Sequence, residues 1–167
     1  VIWIYCFYRI NSNYNMKIGV VSNMNLRARP HLYRIVESIS NHGSAVVFFG
    51  LEDEDTVSLK NLEHKCVHKR KSRYGFLIEM IVQFKAVFFV TKRSYLDLII
   101  ATHPYSLLLV TSVTRFRRNL KIIYYPGELY DARNLWHLRL IEHICYGSVG
   151  SLIVPNKPRL EYLINKY

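Results

Sequence analysis

Residues 97–104 read Asp-Leu-Ile-Ile-Ala-Thr-His-Pro, a short apolar run that ends in two polar residues and a proline. A continuous apolar run of this length, without polar alternation, is typical of a strand that is buried on both faces. A helical pattern precedes it at 73–91, and another follows it at 105–118. This order predicts a parallel sheet with helices packed against it.

The same alternation of strand and helix extends along the chain. We predict strands at 16–23, 45–51, 121–125 and 151–154, a weak strand at 65–69, and helices at 30–41, 135–146 and 158–166. Gly43 stands where a helix usually ends. With right-handed crossovers, this order predicts an α/β domain. Its core is a doubly wound, Rossmann-like open parallel sheet with helices on both faces. Residues 1–15 fit no clear element and are expected to form an N-terminal extension to one domain at 16–167.

Composition excludes several classes of protein. The chain has 167 residues, of which 50% are hydrophobic and 21% are charged, so it is neither disordered nor collagen-like. Three widely spaced cysteines disfavour a disulfide framework or a zinc site and favour a reducing, cytoplasmic compartment. The apolar start lacks a basic leader, so no signal peptide is predicted. The apolar run at 76–90 is shorter than a membrane span and contains two charges.

The positive charge of the chain is concentrated in one segment. The formal net charge is +11, and segment 64–121 holds twelve basic and two acidic residues. Cations flank the apolar run at 76–90 on both sides: Lys69, Arg70, Lys71, Arg73, Lys92 and Arg93. An apolar helix bracketed by cations predicts a peripheral contact with an anionic membrane surface. Two alternatives are that the helix only covers the sheet, with Glu79 and Gln83 as its narrow polar stripe, or that it docks a partner subunit.

Polar and titratable residues follow several predicted strands. Because ligands bind outside the carboxyl ends of the strands in doubly wound sheets, this edge is the predicted site. His103 is a candidate general base or hydroxyl-binding group. The alternative is a strand-end histidine that is hydrogen-bonded to the backbone before the turn at Pro104. Glu128 is a candidate catalytic acid or a loop hydrogen-bonding group. Candidate binding residues at this edge are Asn23, Asn25, Arg29, His31, Tyr130 and Asn156.

Several known motifs are absent from the sequence. Residues 22–27 contain no glycine, so the G-x-G-x-x-G fingerprint of dinucleotide binding is missing. There is no phosphate-binding Walker loop, no nucleophile elbow and no paired Cys/His ligand set. A self-contained dehydrogenase, kinase or hydrolase is therefore disfavoured. Arg139 and Glu142 lie three residues apart on one predicted helix, which favours a surface pair.

Three stretches resemble the GT-B glycosyltransferases of the large retaining group. Residues 17–47, with Arg29-Pro30-His31 and Asn41-His42-Gly43 between two strands, resemble the opening of that group. Residues 121–130 are similar to its "strand, Asp-x-His-Glu" segment, although Tyr125-Pro126-Gly127-Glu128 stands here and only Glu128 matches. Residues 139–163 are similar to its last stretch before the interdomain linker.

The resemblance implies an acceptor-binding domain of a sugar transferase. Such a domain would hold a glycan or lipid-linked acceptor at the cytoplasmic leaflet, as in polysaccharide biosynthesis, while a donor domain binds the nucleotide-sugar. No other cofactor is implied. The chain ends at Tyr167, where the donor domain is expected, so catalysis by this chain alone is disfavoured. The runner-up is a non-catalytic basic interaction subunit; nucleic acid is disfavoured as its partner because the cations follow no recognised motif.

Overall fold

A computed structural model describes residues 16–23, 26, 29–50, 59–65, 75–93, 96–116, 120–126, 135–154 and 157–166. Within them lie the strands β1 (Lys17–Val21), β2 (Ala45–Phe49), β3 (Leu62–His64), β4 (Leu98–Ala101), β5 (Lys121–Tyr124) and β6 (Ser151–Leu152). The helices are α1 (Pro30–Asn41), α2 (Gly75–Arg93), α3 (Pro104–Thr114), α4 (Trp136–Tyr146) and α5 (Lys157–Lys166). Each predicted helix is confirmed, with its ends displaced by four residues or fewer.

The six strands form one parallel sheet in the order β3-β2-β1-β4-β5-β6. Ile18 of β1 lies opposite Val46 on one side and Leu98 on the other. The chain winds outward from β1 in one direction and then crosses to β4 to continue in the other. This confirms the predicted doubly wound α/β fold, and it places the reversal of strand order between β1 and β4.

Successive strand residues face opposite sides of the sheet, and both sides are covered. Val20 and Ile100 pack with Leu32 and Val36 of α1 in one layer of the core. The neighbouring strand residues Val21 and Ile99 face the other layer of the core. There they pack with Val87 of α2, Val110 of α3 and Cys145 of α4. The central strands are therefore buried on both faces, which explains their continuous apolar sequences.

Gly43 ends α1 as its sequence position predicts. Its φ is +85°, in the region that favours glycine, and the amide of His42 before it donates to the carbonyl of Ser38 at 3.2 Å. At the start of the same helix, Pro30 occupies the first turn, where its missing amide proton costs no helical hydrogen bond.

The predicted third strand was misplaced. β3 spans Leu62–His64, earlier than the predicted 65–69, of which residues 66–69 lie outside the described residues. β3 is a short edge strand with a polar centre, so its hydropathy is too low to mark it. The turn before it is marked instead by Asn61, whose φ is 63°.

The predicted surface role of Glu142 was wrong. Its side chain is 4% exposed, and its Oε1 accepts a hydrogen bond from the hydroxyl of the fully buried Tyr124 at 2.5 Å. A helix carboxylate is thereby tied to the last residue of β5. The spacing of Arg139 and Glu142 gave no sign of this, because the partner lies eighteen residues away in the chain.

No helix in the described part of the chain has the length and hydropathy that a membrane crossing requires.

We expect Tyr124→Phe to lower the free energy of unfolding by about 1–3 kcal/mol, because a buried carboxylate loses a hydrogen-bond donor. Glu142→Gln keeps an acceptor for the Tyr124 hydroxyl and serves as the matched variant, with a smaller loss expected. Urea denaturation followed by circular dichroism measures both. Wild-type stability of Tyr124→Phe would show that this contact contributes nothing.

Candidate functional site

A shallow pocket opens at the carboxyl ends of the central strands, where the strand order reverses. It has a volume of about 50 Å³ and is lined by Ser22, Asn23, Arg29, His31, Leu32, Thr102 and Tyr125. This volume holds a few water molecules or one polar group of a larger ligand. The pocket lies where ligands bind in doubly wound sheets, as the sequence predicts.

Backbone hydrogen bonds hold the pocket residues that follow β1 and β4. The amide of Ser22 donates to the carbonyl of Phe49 at 2.8 Å. The amide and the hydroxyl of Thr102 each donate to the carbonyl of Val21 at 3.2 Å. These bonds continue the sheet pairing one residue past the strands, so the pocket floor is as ordered as the sheet.

The first turn of α1 forms one wall of the pocket. Arg29 precedes the helix, and its amide donates to the carbonyl of Leu26 at 3.3 Å, which closes the turn out of β1. His31 and Leu32 follow in the first turn and also line the pocket. First-turn amides have no acceptor within a helix, and the helix dipole is positive at this end. Together with the Arg29 guanidinium, this wall favours a negatively charged ligand group.

Tyr125 closes the pocket from the end of β5. Burial raises the pKa of its hydroxyl above the ordinary 10.0, and the positive charges of Arg159 and Arg29 oppose that rise. Nη1 of Arg159 in α5 donates to the carbonyl oxygen of Pro126 at 3.5 Å. Two guanidinium groups therefore lie close enough to Tyr125 to influence its pKa.

His103 caps α3 beside the pocket. Its Nδ1 accepts a hydrogen bond from the amide of Tyr105 at 3.3 Å, and its own amide donates to Oγ of Ser106 at 2.9 Å. Its ring stacks on that of Tyr105 with centroids 5.4 Å apart. With Nδ1 engaged as an acceptor, the neutral ring carries its proton on Nε2. That tautomer suits donation to a hydroxyl rather than removal of a proton.

The structure brings together three of the predicted site residues: Asn23, Arg29 and His31. His103 follows the pocket residue Thr102 directly, but its ring serves as a helix cap. Lys92 is exposed on α2, and Arg93 ends that helix. The other predicted residues lie outside the described part of the chain: Asn25, Glu128, Tyr130, Asn156, Lys69, Arg70, Lys71 and Arg73.

Sequence reasoning missed Tyr125, which lines the pocket, and Arg159, which approaches the carbonyl of the neighbouring Pro126. Tyr125 looks like the end of an apolar strand, and only its position at the carboxyl end, next to Pro126, marks it as a rim residue. Arg159 lies on α5, thirty-three residues beyond the carbonyl that it approaches. No local pattern brings it to the pocket.

Gln83, which the sequence places with Glu79 in a narrow polar stripe, is buried against the sheet. Its side chain is 5% exposed. Its Nε2 donates to the carbonyl of Ser22 at 2.6 Å and to that of Phe49 at 3.2 Å. The amide thus satisfies backbone acceptors at the ends of β1 and β2, and it holds α2 against the strand that forms the pocket floor.

No group of three or more His, Cys, Asp or Glu side chains that could hold a metal ion occurs among the described residues.

Comparison with known proteins identifies the fold. No family model matches the sequence, and no curated protein matches it. Solved structures do match it, among them sucrose-phosphate synthase from Thermosynechococcus elongatus, with a TM-score of 0.71 and 13% sequence identity. The match covers 91% of this chain and 45% of the synthase chain, so this chain spans less than half of that length. The chain therefore has a glycosyltransferase-like fold.

We expect Gln83→Met to lower the free energy of unfolding by about 1–3 kcal/mol, because two buried backbone carbonyls lose a side-chain donor. Methionine keeps the length of the side chain and the helix propensity. Lys85→Met, at an exposed position of the same helix, is the control and should stay within about 0.5 kcal/mol of wild type. Equal urea midpoints for the two variants would contradict a structural role of Gln83.

Stability should fall at alkaline pH because burial raises the tyrosine pKa in the folded state. The pKa of Tyr125 is raised by burial, and that of Tyr146 is raised by burial and by the charge of Glu142. Their contribution is complete below the unfolded pKa of about 10 and is lost as pH rises through the folded values. Urea midpoints measured from about pH 8 to pH 11.5 should decline more steeply for wild type than for Tyr125→Phe. Parallel curves would contradict this assignment.

Proposed function

We propose that this chain is the acceptor-binding domain of a glycosyltransferase, and that the pocket at the ends of β1, β4 and β5 holds an anionic part of a glycan or lipid-linked acceptor. The observation that carries the proposal is the placement of Arg29 in this pocket, beside the start of α1, at the reversal of strand order. In folds of this kind, that position binds ligands.

The charges around the pocket support an acceptor that bears phosphate. Arg29 lines the pocket, and Arg159 lies close enough to lower the pKa of Tyr125. A guanidinium group forms strong, charge-assisted hydrogen bonds with phosphate oxygens. The structural neighbour is, by its name, an enzyme that makes a sugar phosphate. A phosphorylated sugar is therefore a suitable probe for this chain.

Each predicted site residue has a place in the proposal. Asn23 and His31 contact the polar part of the acceptor from the pocket wall. His103 donates its Nε2 proton to an acceptor hydroxyl, and Glu128 keeps the catalytic role that the family resemblance implies. The remaining acceptor contacts are assigned to Asn25, Tyr130 and Asn156.

Sugar transfer requires both substrates in one cleft, so we propose that a second domain supplies the nucleotide-sugar site. That domain belongs to the same protein or to a partner chain. The proposed setting is the cytoplasmic side of a membrane, in the synthesis of a polysaccharide. The retaining stereochemistry of the resembled group is part of the same proposal.

The test is a titration of the chain with fructose 6-phosphate, fructose and inorganic phosphate, followed by amide chemical shifts in two-dimensional NMR. We expect the phosphorylated sugar to shift the amides of Ser22, Thr102 and Tyr125. Arg29→Gln should weaken this binding by roughly tenfold, because a charge-assisted hydrogen bond is lost. Arg34→Gln removes the same charge from an exposed position of α1 and should leave the affinity within about twofold.

Two results would overturn the proposal. The first is a set of shifted amides that excludes the pocket. The second is an equal loss of affinity in Arg29→Gln and Arg34→Gln. That result would show that the sugar phosphate is attracted by the overall positive charge of the chain rather than bound in the pocket.

A further inference from the structure

The exposed side of α2 combines apolar and basic side chains. Seven described side chains of this helix are exposed, five apolar and two basic: Leu77, Ile81, Val82, Phe84, Lys85, Phe89 and Lys92. At 100° per residue they occupy an arc of about 160° on one side of the helix. We name these seven residues the outer face of α2. No acidic side chain belongs to it among the described residues.

The opposite side of α2 determines which way the outer face points. Gln83, Val87 and Thr91 are buried at 5%, 0% and 2% exposure. Gln83 is hydrogen-bonded to two carbonyls at the strand ends, so the helix cannot rotate without breaking these bonds. The helix therefore buries Val87 and the Gln83 amide against the sheet and still exposes five apolar side chains on its other side, where an ordinary surface helix is polar.

The apolar surface continues from the outer face onto the end of α3. Phe116 is 77% exposed, and its ring meets Phe88 of α2 edge to face, with centroids 6.1 Å apart. The neighbouring Arg115 is exposed. An aromatic side chain exposed to this degree, next to a cation, extends the combination seen on the outer face.

We infer that the outer face of α2 docks this chain on the surface of an anionic phospholipid bilayer. Interfacial helices bury aromatic and aliphatic side chains at the boundary between headgroups and acyl chains, while their cations approach lipid phosphates. Lys85 and Lys92 have stems long enough to lie along the apolar side chains with their ammonium groups among the phosphates. The segment 64–121, which carries ten of the eleven surplus positive charges, includes the whole helix.

The position of the lysines argues against a second copy of this chain as the occupant. Lys85 and Lys92 lie within the arc of the apolar side chains rather than beside it. A dry interface between two such faces would bury four ammonium groups, with no described carboxylate on either face to pair with them. At a bilayer surface, lipid phosphates and water surround the ammonium groups while the apolar side chains are buried.

The direction of α2 places the start of its outer face at the same edge of the sheet as the pocket. A crossover helix runs antiparallel to the strands that it connects, and Gln83 lies at the carboxyl ends of β1 and β2. Residues 75–82 therefore extend beyond that edge of the sheet, on the side where the pocket opens. Docking by this face would bring the pocket towards the bilayer, although the inference does not depend on the proposed acceptor.

The test is flotation of the full chain with two kinds of vesicle, one of phosphatidylcholine alone and one with about 30% phosphatidylglycerol. We expect binding to the anionic vesicles to be at least tenfold stronger, and to fall as salt rises. In the double variant Lys85→Gln/Lys92→Gln, the ratio of anionic to neutral vesicle affinity should fall by roughly tenfold or more. Each cation near the surface contributes about fivefold to that ratio.

A second pair of variants tests whether vesicle binding depends on the outer face of α2 or on exposed apolar side chains anywhere on the chain. Ile81→Gln/Phe89→Gln removes two half-exposed apolar side chains from α2. Leu140→Gln/Ile144→Gln removes two of similar exposure from α4 and is the matched control. The α2 variant should lose vesicle binding by at least tenfold, while the α4 variant binds like wild type. Circular dichroism melts verify that both variants are folded.

Three outcomes would overturn the inference. Equal binding to neutral and anionic vesicles would show that the cations do not contribute to docking. Equal losses of vesicle binding in the α2 and α4 variants would show that the outer face of α2 has no specific role. Sedimentation equilibrium that shows a dimer, abolished by Ile81→Gln/Phe89→Gln, would identify a second copy of the chain as the occupant instead.

Discussion

β1 and β4 pair side by side at the centre of the sheet, and helices cover both of their faces. Buried this way, the strands can carry only apolar side chains, and their backbone groups must be paired within the sheet. Polar chemistry is then confined to the residues that follow each strand, such as Ser22 and Thr102. The pocket lies at this edge, and Ser22 and Thr102 line it.

The side chain of Gln83 connects the pocket edge with α2. Its two hydrogen bonds reach carbonyls at the ends of β1 and β2, and the same bonds fix the orientation in which the outer face of α2 is exposed. Rotation of α2 would break both hydrogen bonds of this buried amide, so they favour the observed orientation. One side chain thus connects the geometry of the pocket edge to the proposed membrane surface.

The electrostatics of the pocket arise from elements that are distant in the chain. Arg29 comes from the turn before α1, Tyr125 from the end of β5 and Arg159 from α5. Burial raises the pKa of the Tyr125 hydroxyl, and the charges of Arg159 and Arg29 oppose that rise. The proposal of a phosphate-bearing ligand depends on these guanidinium groups, because they form charge-assisted hydrogen bonds with phosphate oxygens.

The sequence alone determined the fold class, the helices and the strand-end edge at which the pocket lies. Continuous apolar strands, the helix end at Gly43 and the polar residues after each strand are local patterns, and they predicted that Asn23, Arg29 and His31 lie at this edge. Only the tertiary structure decided that Gln83 and Glu142 are buried, and that Arg159 approaches the carbonyl of Pro126 beside the pocket residue Tyr125. These depend on partners 18 to 61 residues away in the chain, and no local periodicity encodes such contacts.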